Sequence, residues 1–234
     1  MMIEQANMTK SYVALATEIG KMNDGRSVTK AITRSVRGGR LCSSLVLLCK
    51  THKGDGEVSF RNVHASNAYA FGGLSRWVTS QLRHMTAGFT QLLAVSKAFV
   101  DSIMSDPLID ENAYFVKIDI KDYYMSGTSD QLSEDASFLT NGHHRETSRS
   151  AMLCLLSSQW VVSSCAGHDD RSWSVHCGSG MGLPFSGDIA DAAFLVRCEV
   201  DWACVPSILA HHGILRYRRF KDDTLLICTS RRHT

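Results

Sequence analysis

LRYRRFKDDTLLIC, residues 215–228, reads as strand, tight turn, strand. Asp222 and Asp223 sit at the tip, between one aromatic, basic arm and one aliphatic arm. A second acidic pair, Asp169-Asp170, lies in the polar stretch GHDDRS, where a solvated turn accounts for it. Upstream, YFVKIDIKDYY (114–124) alternates as a strand. Val116, Ile118 and Ile120 share one face; Phe115, Lys117 and Asp119 share the other. A carboxylate embedded in apolar surroundings is costly unless it is paired, hydrogen-bonded or bound to a metal. A turn former is the plain alternative for Asp222-Asp223. Asp119 followed about 100 residues later by an Asp-Asp hairpin is, however, the order of carboxylates that a two-metal nucleotidyl-transfer site uses.

The rest of the chain fits an α+β domain, an antiparallel sheet carrying helices on one face. Residues 1–40 read as one or two helices, broken at Asn23-Asp24-Gly25 and again at Gly38-Gly39. LCSSLVLLCK (41–50) and VSFRNVHAS (58–66) read as a basic hairpin across Gly54-Asp55-Gly56. Residues 73–105 have helical periodicity through Leu74, Trp77, Val78, Leu82 and Met85, with a break at Gly88. Residues 150–158 read as a helix, and WVVSSC (160–165) with SWSVHC (172–177) as a hairpin. Gly178-Ser179-Gly180-Met181-Gly182 then opens a helix over about 186–200.

Composition narrows the class. With 234 residues and 44% hydrophobic content the chain can fill a core, and it has no apolar run long enough to span a membrane. The N-terminus lacks a secretory core, so an intracellular, soluble protein is expected. Eight cysteines without a C-x-x-C pair argue against a disulfide framework or zinc finger, and Cys165, His168 and Cys177 fit no common metal spacing. Charge is uneven despite a net +2. Between Arg26 and Lys53 there are seven Lys or Arg and no Asp or Glu; Arg26, Lys30, Arg34 and Arg37 fall on one helical face. Such a stripe is either a solvated face or a footprint for a polyanion.

Five segments in order carry a resemblance: Lys50-Thr51-His52-Lys53 with Arg61-Asn62-Val63-His64-Ala65-Ser66; Gly73-Leu74-Ser75; Asp119 through Tyr124; Gly178 through Ser186 with Ala190; and Phe220-Lys221-Asp222-Asp223. Over about residues 45–230 the set resembles reverse transcriptases, most closely those of Penelope-like retroelements. The resemblance implies the fingers and palm of a right-hand polymerase: an N-terminal helical, basic region at 1–44, fingers at 45–110 and a palm at 111–234. The chain stops eleven residues after Asp223, so no thumb is expected within it.

The resemblance also assigns roles. Asp119, Asp222 and Asp223, with the carbonyl of Ile120, would hold two Mg²⁺ ions, or Mn²⁺. Tyr124 matches the aromatic gate that excludes a 2′-hydroxyl. Arg61 with Lys50 and Lys53 would grip the triphosphate of a dNTP, and Gly182, Pro184 and Ser186 match the loop that positions nucleotide and template. Expected partners are an RNA or DNA template with its primer, and dNTPs, with no membrane; retroelement ancestry implies a nuclear location. Three positions depart from the family pattern: Val175 stands where a glutamine is usual, Gly187 where a proline often follows, and Phe220 where a tyrosine is usual. An inactive retroelement fragment that keeps the fold and binds nucleic acid through residues 26–61 is the alternative reading. A nucleotide- or metal-binding α+β protein with coincidental motifs is a third.

Overall fold

The computed structural model describes residues 2–21, 25–50, 58–93, 95–107, 109, 112–140, 142, 144–162 and 172–229. Lys53, the 54–56 turn, Cys165, His168 and Asp169-Asp170 lie outside the described residues.

Two sheets organise the chain. The hairpin that decided the reading forms as expected: β6 (Ile214–Phe220) and β7 (Asp223–Cys228) pair antiparallel, with Phe220 opposite Asp223 and only Lys221 and Asp222 between them. β3 (Tyr114–Asp119) adds antiparallel to the other side of β7, giving the order β3-β7-β6. β1 (Cys42–Cys49) and β2 (Phe60–Ala65) form the expected basic hairpin. β4 (Trp160–Val162) and β5 (Ser172–Ser174) form the second expected hairpin. β4 also pairs parallel to β1, so all four join in one sheet, β2-β1-β4-β5. That sheet therefore crosses the expected boundary at 110/111.

The helices share one core. α1 (Met2–Lys21), α2 (Gly25–Gly38), α3 (Gly72–Thr86), α6 (Arg145–Ser157) and α7 (Ser186–Phe194) contribute Tyr12, Ile19, Ile32, Leu74, Leu82, Met152, Leu155 and Ile189, all essentially inaccessible. Each such side chain gains about 1.5–3 kcal/mol from burial. Among the described side chains, those of α4 (Ser96–Met104) and α8 (Pro206–His211) add nothing to this cluster. α5 (Ser129–Ser137), which periodicity did not suggest, starts with a capping box: Thr128 Oγ1 accepts from the Gln131 amide and Gln131 Oε1 accepts from the Thr128 amide.

α3 has no capping side chain of its own. Its first amides are taken from outside, Gly73 N by Ser35 Oγ of α2 at 3.1 Å and Leu74 N by the buried Tyr12 hydroxyl of α1 at 3.1 Å. Burial raises the Tyr12 pKa to about 12, which keeps that hydroxyl protonated. The approach requires glycine: a Cβ at Gly73 would stand 2.7 Å from Ile32 Cα and from Ser35 Oγ. Gly73→Ala should lower stability by about 1–3 kcal/mol, as overpacking of a tight contact does, seen as an earlier denaturant midpoint. An unchanged midpoint would contradict the α2–α3 contact.

Candidate active site

The two strands that carry the acids end at one corner of the three-stranded sheet. Asp119, last in β3, is directly opposite Asp223, first in β7. The Ile120 amide donates to the Asp222 carbonyl at 3.0 Å, which makes the Asp119–Asp223 position one where facing side chains approach closely. Lys117 Nζ lies 2.8 Å from Asp223 Oδ1. The Lys117 ammonium pKa is raised, first by that hydrogen bond and then by the charge of Asp223, with smaller contributions from Asp119 and Asp222. The fields of all three carboxylates thus meet at one cation.

Burial is not what makes these acids unusual. β3 is an edge strand, and Asp119 is exposed along with Tyr114, Phe115 and Ile118; Asp222 is half-buried and Asp223 exposed. Alternation in an apolar strand implied a buried Asp119, but an edge strand with few neighbours leaves both of its faces accessible. The donors at the corner are all oxygens, which suits a hard cation such as Mg²⁺. They remain splayed: among the described residues no three His, Cys, Asp or Glu side chains gather closely enough to hold a metal. Cys177 is exposed and free.

Behind the corner is a buried polar network that the sequence did not announce. The Arg219 side chain is completely inaccessible. Its guanidinium meets Glu199 with two bonds, Nε to Oε1 at 2.6 Å and Nη2 to Oε2 at 3.0 Å. Nη1 donates to Asp191 Oδ1 at 2.7 Å, to the Tyr123 hydroxyl at 2.9 Å and to the Lys221 carbonyl at 3.2 Å. Burial works to lower the Arg219 pKa, but the Glu199 bond and the surrounding anionic groups outweigh it and raise it. Tyr217 also donates to Glu199, and Lys221 Nζ to Asp191 Oδ2. Glu199 reaches inward because the helix that begins as α7 widens into a π turn over Leu195–Glu199.

The glycine-rich loop is a junction. Gly178 N donates to the Gly127 carbonyl and Ser179 N to the Tyr124 carbonyl, both at 2.7 Å, so the loop is bonded to the turn after β3. The amide of His64, on the free edge of β2, donates to Met181 O at 2.7 Å. Gln159, ahead of β4, accepts from Gly180 N at 2.5 Å and donates to Gly178 O at 3.0 Å. Close approach explains the glycines: a Cβ at Gly178 would lie 2.2 Å from Tyr124 O, and one at Gly180 would lie 2.3 Å from His64 Nε2. Gly178 and Gly182 also have positive φ, +74° and +97°. Ser43 holds the His64 ring at Nδ1, 3.0 Å away, and burial lowers the His64 pKa.

The remaining expected residues fall around this junction. Tyr124 is half-buried, and its hydroxyl would be 3.7 Å from a Cβ at Gly187. Burial, then the charges of Asp191 and Asp222, raises the Tyr124 pKa. Gly182 and Pro184 are exposed. Ser186 is buried, and its hydroxyl donates to Gly180 O at 2.6 Å, so it shapes the loop instead of facing a ligand. Arg61 is exposed on β2, on the same face as Val63; among the described residues it has no ion-pair partner. Lys50, just past β1, is half-buried, and its amide donates to Ser59 O at 2.9 Å. Lys30, Arg34 and Arg37 of α2 are exposed, while Ile32 of the same helix is buried.

Solved structures share this fold. An apo telomerase from Candida tropicalis, truncated from its C-terminal domain, superimposes with a TM-score of 0.56 at 14% identity, over 87% of this chain and 48% of that one. A second apo telomerase structure from the same organism gives 0.55 at 11% identity, over 83% and 40%. The described fold is shared with the part of telomerase that this chain covers. The chain spans less than half the length of either telomerase. No protein-family model matches the sequence, and no curated protein is significantly similar to it. Among the described residues no helix is long and apolar enough to cross a membrane.

Gln159 is the residue of this junction that sequence reasoning missed. The family pattern places a glutamine at Val175; the one just ahead of β4 braces the loop instead, and the Val175 amide donates to its carbonyl at 2.9 Å. Gln159→Met should leave Gly180 N and Gly178 O without partners, at about 1–3 kcal/mol per unsatisfied group. Hydrogen exchange at residues 178–182 should then rise more than the global unfolding midpoint falls. Equal effects at the loop and across the whole chain would refute a local bracing role.

Proposed function

We propose that this chain forms the fingers and palm of a reverse transcriptase, extending a primer on an RNA or DNA template by adding dNTPs to its 3′-hydroxyl. The observation that carries this reading is Asp119 facing Asp223 across β3 and β7, with Asp222 in the adjoining turn, in a chain of reverse-transcriptase-like fold.

Asp119, Asp222, Asp223 and the Ile120 carbonyl would hold two Mg²⁺ or Mn²⁺ ions. Such ions activate the attacking hydroxyl and neutralise the triphosphate and its leaving group. The protein's own groups do the rest. Lys117, drawn to Asp223, balances part of the acidic charge. Arg61 offers an exposed guanidinium suited to two-pronged contact with a phosphate, Lys50 adds positive charge on the same hairpin, and Lys53 follows three residues on in the sequence. The glycine loop, fixed to β2 and to the turn after β3, sets the spacing between fingers and palm. Tyr124 stands beside Gly187 and excludes a 2′-hydroxyl by filling the space under the sugar. The exposed basic face of α2 would meet the nucleic-acid backbone, a salt-sensitive contact. Penelope-like retroelement ancestry, and with it a nuclear location, belongs to the same proposal.

A protein that binds nucleic acid without turnover is the second reading, and the exposed Lys30, Arg34 and Arg37 of α2 favour it. Primer extension separates the two. With Mg²⁺, an RNA template and dNTPs, the full chain should extend a DNA primer, and Asp222→Asn should reduce extension by about a hundred- to a thousandfold, the range that one charge-stabilising group supplies. Equal incorporation by wild type and variant would remove the assignment; retained RNA binding with no extension by either would establish the second reading. Tyr124→Ala should relax sugar selectivity, raising ribonucleotide relative to deoxyribonucleotide incorporation. An unchanged ratio would deny Tyr124 the gate.

A further inference from the structure

We infer that Asp191 is the positioning residue of the proposed metal site, holding the β6–β7 tip and the turn after β3 through three neighbours; this rests on the reading of Asp119 and Asp222 as metal ligands. Lys221, the first residue of the two-residue tip, has φ +55°. A side chain larger than glycine's is strained in that region and stays there only when its surroundings hold it. Two bonds hold Lys221. Its ammonium donates to Asp191 Oδ2, and its carbonyl accepts from Arg219 Nη1 at 3.2 Å. Arg219 Nη1 is itself bonded to Asp191 Oδ1 at 2.7 Å. One carboxylate of α7 therefore grips the tip by its side chain directly and by its backbone through Arg219.

The same carboxylate reaches the other arm. The Tyr123 hydroxyl donates to Asp191 Oδ1 at 2.5 Å, and Tyr123 lies four residues after Asp119, in the turn that leaves β3. The Asp122 backbone within that turn also has positive φ, +54°. Two strained turns, each adjoining a proposed ligand, thus converge on one anion. The local sequence makes room for it: a Cβ at Gly187, one turn before Asp191, would come within 3.1 Å of Lys221 Nζ. Asp191 touches no proposed ligand, so its influence passes through Lys221, Arg219 and Tyr123. Groups that orient metal ligands in this way change metal affinity by about 10–100-fold when removed.

Arg219→Ala would leave Glu199 buried without a counter-charge and could prevent folding, so the test uses Lys221 and Asp191. The full chain is compared as wild type, Lys221→Met, Lys221→Arg and Asp191→Asn. The readouts are hydrogen exchange of residues 218–225, Mn²⁺ affinity by electron paramagnetic resonance, and kcat and KM for a dNTP. Lys221→Met should accelerate exchange at the tip, weaken Mn²⁺ binding by about tenfold, and lower kcat while KM stays within about twofold of wild type. Lys221→Arg should recover most of each loss, which a merely space-filling role would not produce, and Asp191→Asn should reproduce the Lys221→Met pattern. Tip exchange in Lys221→Met equal to wild type, or an arginine variant no better than the methionine one, would overturn the inference. Asp222→Asn in the same Mn²⁺ titration tests the underlying reading separately. If it binds as wild type does, or if neither binds, the metal reading fails, while tip exchange still decides the role of Asp191.

Discussion

A guanidinium with no access to solvent has to be neutralised on every side, and that constraint at Arg219 shapes the site end of this molecule. Removing one partner from such a buried pair costs about 3–5 kcal/mol, because the charge left behind is uncompensated. Arg219 lies on β6, two residues before the hairpin tip; Glu199 and Asp191 lie on the helix that follows the glycine loop. Satisfying the one therefore fixes the helix against the strand. The outer edge of β6 is held as well: Arg219 N donates to Gln91 O, and Leu93 N donates to Arg219 O. Strand, helix and the segment after α3 are placed together by one residue.

The glycine loop performs the corresponding task for the other sheet. Its glycines approach β2 and the turn after β3 more closely than any side chain would permit, and the hydrogen bonds made there join β2, the entry to β4 and the turn after β3. Arg61 on β2 and the aspartates on β3 and β7 belong to different sheets. The loop between them is short and bonded on both sides, so the distance from one to the other has little freedom. Precision at a two-sheet site comes here from backbone hydrogen bonds together with the buried Gln159 side chain.

How far the sequence disclosed this depended on the range of each interaction. The Asp222-Asp223 hairpin, β3 and the loop-to-helix transition are local, and alternation, turn chemistry and glycine clustering made them legible. The β1–β4 pairing was not, because Cys42 and Trp160 are brought together only by the core between them. Gln159 carries no pattern; a single glutamine before WVV acquires meaning from what lies opposite. Asp191 and Glu199 read as ordinary helix charges, and nothing in the sequence marked the π turn that aims Glu199 inward. Asp119 was identified through an argument about burial that the edge strand does not satisfy, so its position opposite Asp223 now carries the weight.

That exposure alters the electrostatic argument for the corner. Buried acids attract attention through the cost of holding them; exposed ones need no compensation and can lie near one another by chance. What distinguishes these three is density. Asp119 and Asp223 face each other across β3 and β7, Asp222 adjoins them in the turn, and the charges of all three act on the Lys117 ammonium. Water and salt screen such charges over about 8–10 Å, yet groups on directly opposed residues are closer than that. Repulsion at that range sets the side chains apart, so their crowding at one sheet end and their separation from one another follow from the same charge pattern.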